Sequence, residues 1–478
     1  MKKGNFYITT TIPYVNAEPH IGFALELVQS DAIARYQRLM GRQVFFSTGT
    51  DEYGQKIFEA SQKEGKNVQD YVDYYAQKFL NLKEILNISN DNFIRTTSKE
   101  NILAAQEFWR LCDEKGDIEK RIYQGLYCVG CEKFITEKDI INGKCPLHPS
   151  LDLETVEEEN YFFKLSNYRQ DLLKYLKKEK SIIPEWRRQE AIDFVQNAME
   201  DFSISRSVER FSWGIPIPGD DKQVMYVWFG AFINYISTLG WPENREQFKK
   251  FWQEGETIQT AGKDMVKFQS VMWQGMLLSA GLPTTDTIVY HGFITGEGGI
   301  KMSKSIGNVI NPNEIVKEYG TDALRYFLLR EISPFEDSPF TMERFKESYN
   351  ANLANGLGNL ASRVLTLSEK YLDECPEDLD NPLKNHFFNL LDKFDIKQGV
   401  DFVWNQIQFV DKLIQSTEPF KVVKLNADEG KNLIYHLIQK LFGIAEMLEP
   451  ILPETSSTLK KLIKENKKPE QPLFPRKD

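Results

Sequence analysis

The sequence has little cysteine and histidine, and it has no long uninterrupted apolar stretch. Its 478 residues include 5 cysteines and 5 histidines, which argues against a small disulfide scaffold. No apolar run reaches the ~18 residues that a membrane helix requires. Polar residues and a proline between Asn5 and Pro13 interrupt any hydrophobic region of a signal peptide. We therefore expect no membrane span, and we expect the protein to work in the cytoplasm.

The chain also has no excess of positively charged residues. The chain has 59 Lys and Arg against 69 Asp and Glu, a net charge of −10. This balance argues against a general nucleic-acid coat protein, but it leaves room for one local basic face, because binding follows the local potential. The 41% of hydrophobic and 27% of charged residues are ordinary for globular proteins. The length suggests roughly three domains, and we find no internal repeat.

Strands and helices alternate in the first part of the chain. Residues 6–10 favour a strand, apolar residues over 21–39 recur at helical spacing, and Gly41 suits the position just after a helix. Residues 44–46 favour the next strand. The alternation resumes from residue 224, over 257–262, 273–278 and 287–290. This order predicts a parallel α/β sheet, whose ligands lie beyond the carboxyl ends of the strands, here near the loop before His20.

After about residue 345 the pattern becomes mostly helical. Apolar residues step by alternating fours and threes through Leu353, Leu357, Leu360, Val364, Leu367 and Tyr371, which is typical of a helix-packing seam. Further helices are predicted over 400–416 and 431–448. A last helix carries Lys460, Lys461, Lys464, Lys467 and Lys468 and precedes a proline-rich tail. We therefore predict a carboxyl-terminal helical bundle.

Two motifs suit phosphate binding. Residues 19–22, Pro-His-Ile-Gly, stand at the start of the first helix, where unpaired N–H groups favour anions. Gly22 permits close approach of a ligand, and His20 can donate to a phosphate oxygen, although a histidine here also suits a helix cap. Residues 301–305, Lys-Met-Ser-Lys-Ser, follow a glycine-rich stretch. The two lysines can close over a polyphosphate as negative charge develops, or they can belong to a solvated loop.

Four potential metal ligands form two close pairs. They follow the pattern Cys128-x2-Cys131-x13-Cys145-x2-His148. Sulfur and nitrogen ligands in this arrangement suit one tetrahedral Zn²⁺ per chain, and four protein ligands leave no open position for chemistry. The sequence therefore predicts a structural zinc site.

In this order and on an α/β frame, the motifs resemble those of class I aminoacyl-tRNA synthetases. Residues 20–23 look like the family's HIGH signature, and 301–305 look like KMSKS. The resemblance narrows to the methionyl-tRNA synthetase family, in its subgroup with a single zinc knuckle, and covers nearly the whole chain. The matching stretches are 9–22, 49–52, 159–164, 213–216, 226–228, 262–264 and 359–363.

The resemblance implies the architecture. It indicates a Rossmann-like α/β catalytic domain with a zinc-binding insertion, followed by an all-α helical-bundle anticodon-binding domain. We expect the first catalytic half over 1–115 and the insertion over 116–224, with the knuckle at about 122–150. We expect the second catalytic half, with the KMSKS loop and a stem-contact region, over 225–345, and the anticodon-binding domain over 346–478.

The resemblance also implies the reaction and its site residues. Methionine and ATP, with Mg²⁺, would give methionyl-adenylate, and the methionyl group would pass to the 3′ end of tRNA(Met); we expect a monomer. Catalysis would rest on His20, Lys301 and Lys304, and ATP would also contact Gly22, Asp264, His291 and Gly292. Methionine would contact Ile12, Tyr14, Asp51, Trp228, Ala231, Tyr235, Met265, Gln269 and Trp273. The anticodon would contact Asn359, Arg363 and Phe420.

Five positions depart from the family pattern. Phe23 replaces a second histidine, Gln269 replaces another histidine, and Phe420 replaces a tryptophan; Gly230 and Phe232 also depart from the commoner pattern. Phenylalanine cannot donate a hydrogen bond to ATP, so a neighbour or water would have to substitute for that histidine. The first two changes leave one alternative open, a non-catalytic tRNA-binding protein derived from a synthetase. Isoleucyl, valyl and leucyl enzymes are disfavoured, because their editing insertion is larger than 116–224.

Overall fold

The first segment alternates parallel strands with helices. The computed structural model describes residues 4–129, 133–135, 140–146, 148–210, 212–300, 302, 309–376 and 378–477. The segment contains β1 Asn5–Thr9, α1 Ile21–Leu39, β2 Gln43–Thr50, α2 Gln55–Lys63, α3 Val68–Leu80, α4 Leu82–Ile85, β3 Asn92–Arg95 and α5 Lys99–Glu114. The predicted first strand and helix are confirmed. Gly41, with φ of 79°, follows the cap residue Met40 as predicted.

The second segment is mostly antiparallel. It contains β4 Ile118–Cys128, β5 Lys133–Ile135, β6 Glu154–Phe163, α6 Arg169–Leu176, β7 Ile182–Ile183, α7 Glu185–Asn197, β8 Phe202–Ser203, β9 Ser205–Ser207, β10 Pro216–Ile217 and β11 Asp220–Met225. Strands β5, β4, β6 and β8 form one sheet, and β10, β11 and β9 form another. The short 3₁₀ helix Leu165–Tyr168 leads from β6 into α6.

The third segment returns to α/β alternation. It contains α8 Val227–Phe232, α9 Asn234–Ser237, α10 Arg245–Phe248, β12 Glu256–Gly262, α11 Trp273–Ser279, β13 Thr287–His291, β14 Ile294–Thr295, α12 Pro312–Tyr319, α13 Thr321–Tyr326, β15 Ser338–Pro339 and α14 Met342–Ser348. Single 3₁₀ turns occur at Lys263–Met265 and Glu297–Gly299, and π-helical turns at Lys249–Gln253, Phe268–Met272 and Phe327–Glu331.

These segments meet in one central parallel sheet. Its strand order is β3-β2-β1-β12-β13-β7, and every neighbouring pair is parallel. Phe6, Tyr7 and Ile8 of β1 have no exposed surface, as expected for a central strand covered on both faces. The connections reverse direction between β1 and β12. Such a switch point is where open α/β sheets bind ligands.

The last segment is helical. A π-helical stretch, Tyr349–Gly358, runs into α15 Asn359–Tyr371, followed by α16 Lys384–Leu391, α17 Ile396–Thr417, α18 Pro419–Leu425, α19 Ala427–Leu448 and α20 Pro453–Lys464. Leu353, Leu357, Leu360 and Val364 of the predicted seam are buried. No helix among the described residues is long and apolar enough to cross a membrane.

The predicted extent of the lysine-rich helix was wrong. Helix α20 ends at Lys464, so Lys467 and Lys468 lie beyond it. Asn466 adopts a positive φ of 48°, and its side chain donates to the Leu372 carbonyl at 2.9 Å. This long-range bond ties the residue after the helix to the end of α15.

Candidate active site

A cavity of about 440 Å³ opens beside the carboxyl ends of the central strands. It collects residues that lie far apart in the sequence. Those predicted from the sequence that line it are Ile12, Tyr14, His20, Gly22, Asp51, Trp228, Ala231, Tyr235, Asp264, Met265, His291 and Gly292. Residues of the first and third segments of the chain therefore contribute to one site.

His20 is the cap residue of α1. Its Nδ1 accepts a hydrogen bond from the Gly22 N–H at 3.1 Å. Because Nδ1 accepts, the neutral ring carries its proton on Nε2 and can donate from that atom to a ligand. A Cβ atom at position 22 would lie 2.9 Å from the His20 ring. Glycine therefore makes room for the capping imidazole, a reason the sequence did not reveal.

The loop after β1 is fastened to the end of β2. The Asp51 N–H donates to the Pro13 carbonyl at 2.9 Å, and the Val15 N–H donates to the Asp51 carbonyl at 3.2 Å. These bonds set Tyr14 beside Asp51, whose side chain is 5% exposed at the cavity wall. A buried carboxylate here can pair with a ligand's ammonium group.

Aromatic rings form the opposite wall. The Tyr14 ring meets Trp228 edge-on, with centroids 6.3 Å apart, and Trp228 stacks on Phe268 at 4.4 Å. Gln269 and Trp273, predicted as contacts, do not line the cavity and lie behind Tyr235. Burial raises the pKa of Tyr235 well above its usual range, so its neutral hydroxyl donates to Gln269 Oε1 at 3.2 Å.

A buried acid and histidine were not recognised as a pair from the sequence. Glu26 Oε1 accepts from the Thr11 hydroxyl at 2.6 Å and from its N–H, while Oε2 lies 2.9 Å from His291 Nε2. His291 Nδ1 lies 2.7 Å from the Gly292 carbonyl. Burial lowers the pKa of His291, but the bond and charge of Glu26 outweigh it and raise the pKa. Both ring nitrogens face acceptors, which favours the imidazolium.

Further lining residues were not predicted as site residues. Thr11, Pro13, Gly262 and Met302 lie within stretches or motifs that match the family, and Phe232 departs from the family pattern, whereas Asn234, Phe293 and Ile294 had no sequence signal. Glu26 also lines the cavity, and its sequence signal is an acid inside the apolar face of a predicted helix. Phe23, the departure noted above, also lines the cavity, and its ring meets Phe79 edge-on at 5.4 Å. The predicted catalytic residues Lys301 and Lys304 lie outside the described residues.

Three of the four predicted metal ligands lie together. The ligand atoms of Cys128, Cys145 and His148 are all within 4.8 Å of one another. His148 Nδ1 is 3.8 Å from Cys128 Sγ and 4.0 Å from Cys145 Sγ. These separations suit ligands that share one Zn²⁺ at about 2.0–2.3 Å from each. Cys131 lies outside the described residues.

A second predicted cluster lies on the helical segment. Arg363 and Phe420 line an open pocket of about 280 Å³, and Asn359 is exposed one turn before Arg363 on α15. Arg363 pairs with Asp411 of α17. Pro419 begins α18 directly after the left-handed residue Glu418, and this turn leaves the Phe420 ring 38% exposed.

Sequence comparison identifies the relatives of this chain. The family described as tRNA synthetases class I (M) matches residues 6–154 and 149–365. The methionine–tRNA ligase of Thermotoga maritima is 40% identical over 483 residues, which cover 97% of this chain and 76% of that protein. That of Caldanaerobacter subterraneus subsp. tengcongensis is 41% identical over 472 residues, covering 95% and 73%.

Solved structures agree with the sequence matches. A Mycobacterium tuberculosis methionyl-tRNA synthetase bound by methionyl-adenylate superposes with a TM-score of 0.90 at 31% identity, covering 98% of this chain and 100% of that one. A second structure of that enzyme with methionyl-adenylate gives 0.89 at 33% identity, covering 96% and 93%.

Proposed function

The chain belongs to the methionine–tRNA ligase family of class I tRNA synthetases, and we propose how its residues perform that family's reaction. It activates methionine with ATP to methionyl-adenylate and transfers the methionyl group to the 3′ end of tRNA(Met). One observation supports this assignment of the site. Asp51, the aromatic wall and His20, the cap residue of α1, all line the same cavity.

Methionine is bound by a charged contact at its ammonium group and by aromatic rings around its side chain. The Asp51 carboxylate pairs with the substrate ammonium. Tyr14, Trp228 and Tyr235 surround the side chain, and contacts between sulfur and aromatic rings contribute about 0.3–1.5 kcal/mol each. Ile12, Ala231 and Met265 complete the apolar lining. Gln269 acts through Tyr235, whose hydroxyl it holds, and Trp273 packs behind the same ring.

Adenylate formation relies on alignment and charge stabilisation rather than covalent catalysis. The methionine carboxylate oxygen attacks the α-phosphorus, and the bond from that phosphorus to the pyrophosphate oxygen breaks. His20 Nε2–H and the start of α1 stabilise the charge on the phosphates. We assign Lys301 and Lys304 to the leaving pyrophosphate. Mg²⁺, when bound with ATP, neutralises part of the phosphate charge.

The nucleoside lies against the ends of β12 and β13. Gly22, Asp264, His291 and Gly292 line this part of the cavity, and the Asp264 carboxylate can accept hydrogen bonds from the nucleoside. Both ring nitrogens of His291 already face Glu26 and the Gly292 carbonyl, so His291 shapes the wall. Position 292 is closely packed, because a Cβ atom there would lie 2.1 Å from the Glu336 backbone. The Glu26 carboxylate accepts a hydrogen bond from Thr11 and pairs with His291. It therefore fixes the loop after β1 relative to the end of β13.

The zinc site shapes the insertion. Cys128, Cys131, Cys145 and His148 would hold one structural Zn²⁺, and the clustering of the three described ligands supports this assignment. Zinc would fasten the connection between β4 and β6 without taking part in catalysis. We also propose the four-part division at residues 115, 224 and 345.

The helical segment is proposed to bind the anticodon. Asn359 and Arg363 provide hydrogen-bond donors, and the exposed Phe420 ring provides a stacking surface, which contributes about 1–3 kcal/mol per base. Asp411 holds the Arg363 guanidinium beside this surface before tRNA binds. We further infer a monomer that works in the cytoplasm, which sedimentation and cell fractionation would test.

Amino-acid-dependent ATP–pyrophosphate exchange tests this function. The assay uses Mg²⁺ and no tRNA, with methionine, homocysteine, cysteine, leucine or isoleucine as the substrate. We expect exchange with methionine alone, which would also show that Phe23 is tolerated. Absence of exchange with all five, from folded zinc-loaded protein that still binds tRNA, would instead support the non-catalytic binding protein.

A further inference from the structure

One polar side chain of the catalytic cavity takes no part in the function proposed above. Asn234 begins α9, lines the cavity and is 1% exposed. Its Nδ2 donates to the Ala231 carbonyl at 2.6 Å, which fixes the orientation of the amide. Its Oδ1 is buried and has no hydrogen-bond partner among the described residues. Because an unpaired buried acceptor costs free energy, we expect a donor from outside the described chain at this atom.

Asn234 lies among the residues that are proposed to receive the methionine side chain. Ala231 and Tyr235, two of the proposed methionine contacts, belong to the same pair of short helices, α8 and α9, and line the cavity with it. Trp228 lines the cavity from the first turn of α8. The free acceptor of Asn234 is therefore a polar position within a mainly aromatic and apolar wall.

A second unpaired amide atom lies behind the same wall. Gln269 is fully buried, and its Oε1 accepts from the Tyr235 hydroxyl at 3.2 Å, whereas its Nε2 has no partner in the part of the chain that the structure describes. Burial raises the pKa of Tyr235, and the side-chain amides of Gln269 and Asn234 both oppose this effect, so both lie close to that hydroxyl. An unused acceptor and an unused donor therefore belong to two amides that meet at one hydroxyl group.

A single water molecule can satisfy both atoms and still keep one hydrogen for a ligand. Its oxygen would accept from Gln269 Nε2, and one of its hydrogens would go to Asn234 Oδ1. Buried water typically makes about three hydrogen bonds to polar groups of this kind. The second hydrogen then points to a third acceptor. A thioether sulfur is a weak acceptor of such a hydrogen, whereas a methylene group cannot accept one.

We propose that Asn234 is a specificity-determining residue, which holds an ordered water that donates a hydrogen bond to the sulfur of the methionine substrate. The inference rests on the proposed function, because that function places the methionine side chain in this part of the cavity. Gln269 is a positioning residue, since it orients the water and the Tyr235 hydroxyl without lining the cavity. The site therefore distinguishes sulfur from a methylene group of similar size, and norleucine is the analogue that it rejects.

The test compares methionine with norleucine in ATP–pyrophosphate exchange without tRNA. The two amino acids share the ammonium group, the carboxylate and the chain length, so the ratio of their kcat/KM values isolates the contribution of sulfur. Asn234→Leu nearly keeps the side-chain volume and removes the acceptor. We expect the ratio of methionine to norleucine to fall at least about threefold, as for the loss of one net hydrogen bond.

Ser237→Ala is the matched control. Ser237 is a buried polar residue of the same helix, its hydroxyl donates to Asn101 Oδ1 at 2.9 Å, and it does not line the cavity. The ratio in this variant should equal that of the wild type. A general defect in folding or ATP binding would lower exchange with both amino acids equally. An unchanged ratio in Asn234→Leu, or a wild-type ratio close to one, would therefore overturn the proposal.

A crystal structure of the wild-type protein with methionine tests the water site without any substitution, and it decides the question if Asn234→Leu does not fold. We expect one ordered water within hydrogen-bonding distance of Asn234 Oδ1 and in contact with the substrate sulfur. A bound methionine whose sulfur has no such water beside it would overturn the proposal. Absence of exchange with both amino acids in the wild type would instead refute the proposed function, so the two failures are distinguishable.

Discussion

At the scale of single residues, polar groups in the catalytic cavity are fixed before any ligand binds. His20 is held by the Gly22 N–H, the main chain at Asp51 is held by the Tyr14 loop, and the Asp51 carboxylate accepts from the Thr96 hydroxyl at 3.5 Å. Glu26 joins Thr11 to His291. Preorganised groups of this kind stabilise charge without reorganising during the reaction. The functional contribution of each residue therefore depends on partners that its own motif does not contain.

Replacing Asp51 tests the assignment of the ammonium site. In Asp51→Asn the shape remains and the charge is lost, so we expect the KM for methionine to rise about tenfold to a hundredfold, as for a charged hydrogen bond of about 1.5–3 kcal/mol. ATP–pyrophosphate exchange at varied methionine measures this change. Asp113→Asn on the exposed side of α5 should behave as wild type. An unchanged KM in Asp51→Asn would reject the assignment.

The buried Glu26–His291 pair predicts a pH-dependent stability. Because the folded state raises the pKa of His291, its contribution is complete below the ordinary pKa of about 6.5 and is lost as pH rises through the folded value. The charge of Asp264 also raises the pKa of His291, by less than Glu26 does. In Glu26→Gln, the two largest effects that raise the pKa of His291 are lost and only the weaker effects of the Gly292 carbonyl and Asp264 oppose burial, so this dependence should weaken or reverse.

Urea-unfolding midpoints between pH 6 and 9 would measure this effect. The wild-type midpoint should fall towards high pH more steeply than that of Glu26→Gln. His436→Gln, which changes an exposed histidine of α19, should keep the wild-type profile. Parallel profiles for wild type and Glu26→Gln would contradict the prediction.

At the scale of elements, the sequence predicted long amphipathic helices better than short or irregular ones. Periodicity identified α1, α15, α17 and α19. The last three each bury one face, whereas α1 is buried on nearly all sides. The two-residue strand β7 joins the sheet only through pairing with β13, which no local pattern reveals. The π-helical turn before α11 likewise depends on tertiary packing, and it places Gln269 behind Tyr235 rather than at the cavity surface.

The site residues divide in the same way, into those that the sequence reveals and those whose role depends on tertiary contacts. His20 and Gly22 were predicted from the motif at the start of the first helix, and Asp51 from the resemblance to the family. Glu26 was missed as a site residue because its role depends on His291, which stands 265 residues away along the chain.

Loss of a ligand tests the zinc site. Cys145→Ser removes one of the three clustered ligands, so we expect zinc content to fall from one ion per chain to well below half. Elemental analysis of purified protein measures the content. Cys375→Ser, which changes a cysteine of the helical region, should retain the ion. Full zinc content in Cys145→Ser would exclude the proposed site.

At the scale of the whole molecule, one buried arginine links the sheet region to the helical segment. Arg325 is fully buried and donates to the carbonyls of Ile451, Leu86 and Pro450, and it pairs with Asp31 at 2.8 Å. Burial acts to raise the pKa of Asp31, but Arg325 and Arg35 outweigh it and lower the pKa. The carboxylate of α1 therefore stays charged within the core.

Removing this arginine should destabilise the fold. Arg325→Met leaves the Asp31 carboxylate with less compensation and three carbonyls without a donor, so we expect a loss of about 3–5 kcal/mol in the free energy of unfolding. Urea denaturation measures it. Arg110→Met, which changes an exposed arginine paired with Glu107 and Glu114 at the surface, should leave the free energy of unfolding nearly unchanged. Equal effects of the two substitutions would show that the buried network contributes little.

The central sheet also constrains how the chain is made. Phe6 of β1 pairs with Glu256 of β12, so the middle of the sheet cannot close until both have left the ribosome. At ~5–20 residues per second, that interval is on the order of 10 s or more. Throughout it, β1 has an open edge that favours association with other chains. The site that assembles at this seam can therefore form only late in translation, after a period in which the nascent chain needs protection from aggregation.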